Sequence, residues 1–95
     1  MNAYELLYFS DPRISDEDTT ALKDRITGMI RDNGGEIVQE DDWGIRRLAY
    51  PIGKVEDGHY FLLRFKSAPE FITALDRQLR LLQSVVRFMI VREGE

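Results

Sequence analysis

The residues best equipped for chemistry lie in one run, Gly44-Ile45-Arg46-Arg47-Leu48-Ala49-Tyr50-Pro51-Ile52. Two adjacent arginines stand there among residues that otherwise favour strand. Successive strand side chains point to opposite faces. Arg46 and Arg47 therefore cannot both lie over a core, and at least one projects toward solvent or a partner. A planar guanidinium donates paired hydrogen bonds and suits either a carboxylate or a phosphate. Glu36, Glu40, Asp41 and Asp42 lie just upstream, so the cationic pair is a local feature of an acidic stretch. The plainer alternative is a solvated strand with two charges. Trp43, the only tryptophan, shares a face with Ile45 if the strand is regular. It fits a core position or an interface anchor equally well.

Little else in the chain suggests a reaction. There is no cysteine, which excludes disulfides, thiol catalysis and cysteine-ligated zinc. His59 is the sole histidine and has no triad-like setting, so it reads as a structural side chain. Residues 40–42 lack the alternating ligands and central glycine of a calcium loop. They read as a solvated segment that discourages edge pairing. Lys54, Arg77 and Arg80 read as solvated charges. No glycine-rich phosphate loop or nucleophile elbow is found, and no metal, cofactor or small-molecule substrate is expected.

The 95 residues suit one domain, spanning 1–95, with a modest stability of about 5–10 kcal/mol. No apolar run approaches the ~20 residues of a membrane span. The N-terminus lacks the basic-then-apolar pattern of a secretory signal, and a cytoplasmic location is expected. The net charge of −4 disfavours strong unaided binding to nucleic acid, which depends on Lys and Arg neutralising phosphates. It does not count against a subunit of a larger assembly whose bases are gathered on one surface.

The elements that must position these residues follow from periodicity. Tyr4–Phe9 reads as a central strand. Ser15 caps a helix whose first turn holds Asp16, Glu17 and Asp18, with Leu22, Ile26, Met29 and Ile30 on its apolar face; Asn33-Gly34-Gly35 ends it. Residues 36–52 form a long strand in which the apolar parity switches near Gly44, where a β-bulge is expected. Residues 53–58 are read as a hairpin connection with Asp57-Gly58 as its turn. Tyr60–Lys66 is the third strand. Pro69 opens a second helix with a stripe of Ile72, Leu75, Leu79 and Leu82, and Val85–Arg92 is the last strand. The order βαββαβ predicts an α+β, ferredoxin-like fold: a four-stranded antiparallel sheet with two helices on one face. If Leu6, Tyr8, Phe61, Leu63, Phe65, Val86, Phe88 and Ile90 face the helices, the open face carries Leu7, Tyr60, Leu62, Arg64, Lys66, Arg87, Met89 and Val91. Such an apolar and basic face is expected to have a partner.

The run at 44–52 resembles the signature of the bacterial small-subunit ribosomal protein S6 family: Gly, any residue, a base, a polar residue, Leu, Ser or Ala, Tyr, any residue, Ile. Tyr4-Glu5 and Arg87-Phe88-Met89 are similar to that family as well. The resemblance covers nearly the whole chain and implies the same fold. It also implies a non-catalytic constituent of the small ribosomal subunit that binds the central domain of small-subunit ribosomal RNA jointly with ribosomal protein S18. On that basis Arg46, Arg47, Arg64, Lys66, Arg87 and Arg92 are candidate RNA contacts. Trp43, Ile45, Arg46 and Arg47, on an edge strand, are candidate contacts for the protein partner. The chain departs from the family at Asn2 and Ala3, where basic residues are common, and at Gly53.

Two other functions fit the element order. An RNA-recognition motif would need a basic residue and alternating aromatics in its third strand; here Asp57-Gly58-His59-Tyr60-Phe61-Leu62 puts an acid first and Tyr60 where a small residue belongs. A small ferredoxin-like enzyme would need a pocket with convergent polar groups, for which the chain offers few side chains.

Overall fold

The computed structural model describes residues 1–52 and 55–93; the side chains of residues 49–52 and of 55 are outside that description. The elements are β1 (Asn2–Ser10), α1 (Asp16–Asp32), β2 (Glu36–Ile52), β3 (Val55–Ser67), α2 (Pro69–Leu81) and β4 (Val85–Arg92). The strands form one antiparallel sheet in the order β2-β3-β1-β4. The expected topology is the one found, with β1 and β3 central.

Local chemistry accounts for the helix ends. Ser15 Oγ accepts the Asp18 amide at 3.1 Å, and three acids occupy the first turn of α1. At the other end the Asn33 side chain donates to the Met29 carbonyl at 2.7 Å and the Gly35 amide to the Ile30 carbonyl at 2.8 Å. These bonds occupy carbonyls that a helix end otherwise leaves unpaired. Helix α2 opens with proline, whose missing amide proton costs nothing in the first turn.

The core lies between one sheet face and the helices. Tyr4, Leu6 and Tyr8 of β1 and Phe61, Leu63 and Phe65 of β3 are buried against Leu22, Ile26, Ile30, Leu75 and Leu79. Cross-strand pairing places Tyr4 opposite Phe65 and Tyr8 opposite Phe61, and both ring pairs stack, at 5.6 and 5.1 Å. Stacked aromatics add about 0.5–1.5 kcal/mol beyond the area they bury. Ile72 is only half-buried, at the margin of this core.

Three sequence expectations change. The residue of β4 that packs on the core beside Phe88 and Ile90 is Val85, not Val86. A register shift places Arg87 opposite Phe9 and Val85 opposite Ser10; Val86 is the extra residue, and strict alternation fails there. Second, Asp57 and Gly58 lie inside β3, paired with Arg47 and Arg46. Gly58 is needed there for close approach: a Cβ would stand 3.2 Å from both Leu48 Cδ2 and Phe9 Cβ. The connection between Ile52 and Val55, with Lys54 in it, lies outside the described residues. Third, the open face is not basic with few acids, because Glu5 and Glu93 flank Arg64 there.

The helix stripe yields a paired test. Leu75 is fully buried while Leu81 is 69% exposed. Leu75→Ala should cost about 2–5 kcal/mol in urea unfolding, and Leu81→Ala should stay within roughly 0.5 kcal/mol of wild type.

Candidate nucleic-acid and protein interface

Strand β2 owes its shape to three irregularities, at Ile37/Gln39, at Asp42/Gly44 and at Arg47/Ile52. At the second, Asp42 is opposite Phe61 and Gly44 opposite Tyr60, so Trp43 is the extra residue. Gly44 takes a φ of +79°, a conformation that glycine adopts without strain. The parity switch expected from the sequence is this bulge. Asp42 secures it. Its Oδ1 accepts the Gly44 amide at 2.8 Å and lies 2.7 Å from His59 Nε2, with the His59 ring stacked on Phe61 at 4.2 Å. Partial burial alone would raise the Asp42 pKa. The Gly44 and His59 bonds and the nearby Lys23 overcome it and hold the carboxyl below its ordinary range. His59 is thus a structural residue, but it has a carboxylate partner that the sequence did not reveal. Nearby, burial raises the Tyr8 hydroxyl well above its ordinary pKa, with Glu40 and Asp42 adding to the effect.

Beyond the bulge the side chains part. The register sets Arg46 opposite Gly58 and Arg47 opposite Asp57, on opposite sheet faces as strand geometry requires. Arg46 donates from Nε to the Trp43 carbonyl at 3.2 Å and lies 5.9 Å from the Trp43 ring centroid, a cation–π arrangement. Arg47 approaches Glu56 at 3.7 Å, with both side chains mostly exposed; such a pair adds little stability. Trp43 and Ile45 are exposed at 42% and 62%, while Leu48 is buried at 7%. Leu48 lies against Gly58 beside Phe9 and Tyr60, whose rings stack at 4.0 Å. This small apolar cluster holds the end of β2 to the sheet while Trp43, Ile45, Arg46 and Arg47 face outward.

The other candidate contacts are not gathered around that end. Arg64 is held between Glu5 at 3.1 Å and Glu93 at 3.3 Å, so its charge is offset on the open face. A hydrogen bond with Glu5 and partial desolvation raise the Glu93 pKa, against the pull of Arg64. The register that puts Leu6 opposite Leu63 also puts Glu5 opposite Arg64, so this pairing follows from strand parity once the register is known. Lys66 is exposed and opposite Ala3 and Glu36. Arg87 and Arg92 are exposed on β4, at the far edge from Arg46 and Arg47. The open face is therefore of mixed charge, with Leu7, Leu62 and Met89 in one cross-strand row. Among the described residues no group of three or more acids and histidines is arranged to hold a metal ion, and no helix is long and apolar enough to cross a membrane.

A one-sided split β-α-β sheet with an apolar and cationic strand end defines a small ferredoxin-like α+β protein whose assets are surfaces. The ribosomal protein S6 family model matches residues 3–92, and the chain belongs to that family. It is 40% identical over 95 residues to the small ribosomal subunit protein bS6 of Desulforamulus reducens, covering all of both chains. It is 42% identical over 91 residues to bS6 of Clostridium novyi, covering 96% of each. The crystal structure of 30S ribosomal protein S6 from Thermotoga maritima superposes with a TM-score of 0.91 at 24% identity, over 97% of this chain and 87% of that one, which establishes the fold.

The Asp42 clamp sets a pH dependence. A carboxylate with a depressed folded-state pKa contributes stability that is present above its unfolded pKa, near 3.9, and is lost as pH falls through the folded value. Asp42→Asn should lower stability at pH 7 by on the order of 0.5 kcal/mol and flatten the loss of thermal midpoint between about pH 5 and pH 2. Calorimetry across that range checks both effects.

Proposed function

We propose that this chain is a structural constituent of the small ribosomal subunit, hence cytoplasmic, that binds the central domain of small-subunit ribosomal RNA jointly with ribosomal protein S18 and catalyses no reaction. The family assignment supports the ribosomal role, and the implied partnership comes with the family resemblance. The observation that carries the reading is the outer part of β2. There an exposed tryptophan, an exposed isoleucine and two arginines are presented together on a pinned bulge.

The mechanism is assembly. Trp43 and Ile45 offer apolar area with little ordering cost, because the Gly44 bulge and the Asp42–His59 contact already fix the backbone. Preorganisation of this kind raises affinity without adding contacts. Arg46 and Arg47, on opposite faces, reach partner and RNA from one strand. The acids at Glu40–Asp42 complement a basic partner and steer its approach. An RNA-recognition mode on the open face is disfavoured, because Phe9 and Tyr60 stack on each other and Arg64 is matched by two carboxylates.

Trp43→Ala, if folded by circular dichroism, should lose on the order of 2 kcal/mol of affinity for S18 in calorimetry; wild-type affinity excludes Trp43 as the anchor. In the ternary complex, Arg46→Gln with Arg47→Gln should lower the slope of log binding constant against log salt by about 0.7–0.9 for each phosphate that is no longer neutralised. An unchanged slope means this pair touches no phosphate.

A further inference from the structure

Arg77 and Arg80 lie one helical turn apart on α2, both exposed. Residues three apart on a helix are surface neighbours, about 5–6 Å between their Cβ atoms. Arg80 does not hang free. Its Nε donates to Asp76 at 2.9 Å, and its guanidinium lies 5.5 Å from the Phe88 ring centroid on β4. It lines a groove between α2 and the outer edge of the sheet, together with Leu79, Val85, Val86, Phe88 and Arg87. Arg87 also lines this groove, but its register opposite Phe9 turns it toward the open face, so Arg80 and Arg87 flank the β4 edge from its two sides. Arg77, Arg80 and Arg87 thus form a cationic rim around one edge of an acidic protein.

Strand order explains how that rim escapes the net charge. Exposed Glu36, Glu40 and Asp42 are on β2, at the opposite edge of the sheet. Three interstrand spacings of about 4.8 Å separate the edges by roughly 14 Å. The Debye length at physiological ionic strength is about 8 Å, so those acids are largely screened from the rim. The acids nearer by are mostly engaged, Asp76 with Arg80 and Glu93 with Arg64. Glu70 lies in the first turn of α2, about 15 Å along the helix from Arg80.

We infer that the α2–β4 edge is a second phosphodiester-binding surface of the protein, with Arg77, Arg80 and Arg87 on the RNA backbone. This assignment rests on the ribosomal RNA-binding reading above and names a further surface that serves it. Asp76 and Phe88 hold Arg80 in place, so it loses less freedom on binding than an unsupported side chain. The Asp76 bond uses only Nε, and the terminal nitrogens retain donors for a phosphate. The contacts carry no base identity. They position the protein on a folded RNA, and discrimination comes from RNA shape and the protein partner.

The test is the salt dependence of binding to a transcript of the small-subunit central domain in the presence of S18. The variant Arg77→Gln/Arg80→Gln/Arg87→Gln should lower the salt slope by about 0.7–0.9 per arginine that touches a phosphate, roughly two units in all if each of the three does so. Asp24→Asn with Asp32→Asn, two exposed acids of α1, should leave the slope unchanged. If the triple variant fails to fold, Arg77→Gln/Arg87→Gln preserves the Arg80–Asp76–Phe88 contact and should still lower the slope by more than one unit. A folded variant with the wild-type slope overturns the assignment while leaving the ribosomal reading intact. So does a variant that loses affinity for S18 in the absence of RNA, which would make the edge a protein contact. Wild-type protein that fails to join the RNA–S18 complex at all overturns both readings.

Discussion

Two helices, each about 10 Å across with side chains, are enough to cover one face of a four-stranded sheet, and the described residues form two, both on the same face. That one-sided cover organises everything else. The covered face takes Leu6, Tyr8, Phe61, Leu63 and Phe65, nearly all inaccessible, and supplies the stability. The bare face must be made tolerable by other means. The chain uses three: cross-strand pairing of Arg64 with Glu5 and Glu93, stacking of Phe9 on Tyr60, and Leu48 folded down over Gly58. What those devices leave uncovered is the material from which binding surfaces are made.

The same constraint separates the two functional regions. The sheet order leaves β2 and β4 with free edges at opposite ends. Strand β2 is long, irregular at three places and acidic along its first half, features that discourage uncontrolled pairing with other chains. Its apolar and cationic residues come after the second bulge. Strand β4 is short, and its cationic character is shared with the neighbouring helix. Two surfaces on a rigid body, far enough apart to engage different partners at once, suit a protein whose work is holding an assembly in shape.

Much of this is legible in the sequence. Helix caps, helix stripes, the element order and the bulge near Gly44 follow from local rules, because each rests on residues a few positions apart. What local rules do not reach is long-range. The Asp42–His59 contact spans seventeen positions and depends on a register fixed only when β2 bulges. The neutralisation of Arg64 depends on β1 lying between β3 and β4. Asp57-Gly58 reads as a turn because that dipeptide favours turns; Gly58 is instead buried at a crowded crossing where a side chain would collide with Leu48 and Phe9. Arg80 reads as a plain solvated charge because its groove is made by Phe88 and Arg87, which come from another element. The RNA and partner roles of the candidate arginines follow from family resemblance and exposure, and neither reveals which phosphate or side chain each one meets.

The first strand made is also the one that must wait longest. Strand β1 is central, and its pairing with β4 runs from Tyr4 opposite Arg92 to Ser10 opposite Val85, with the Glu93 amide donating to the Ala3 carbonyl at 2.8 Å. At synthesis rates of about 5–20 residues per second, β1 emerges roughly 4–17 seconds before the residues of β4 that will flank it. During that interval its Tyr4, Leu6 and Tyr8 have no complete core to enter. Yet β1 carries one acid, Glu5, among its apolar residues, the carboxylate that later takes Arg64. A charge in the middle of an otherwise sticky segment makes it a poor template for self-association. The residue that balances the finished sheet therefore also guards the nascent chain before the sheet exists.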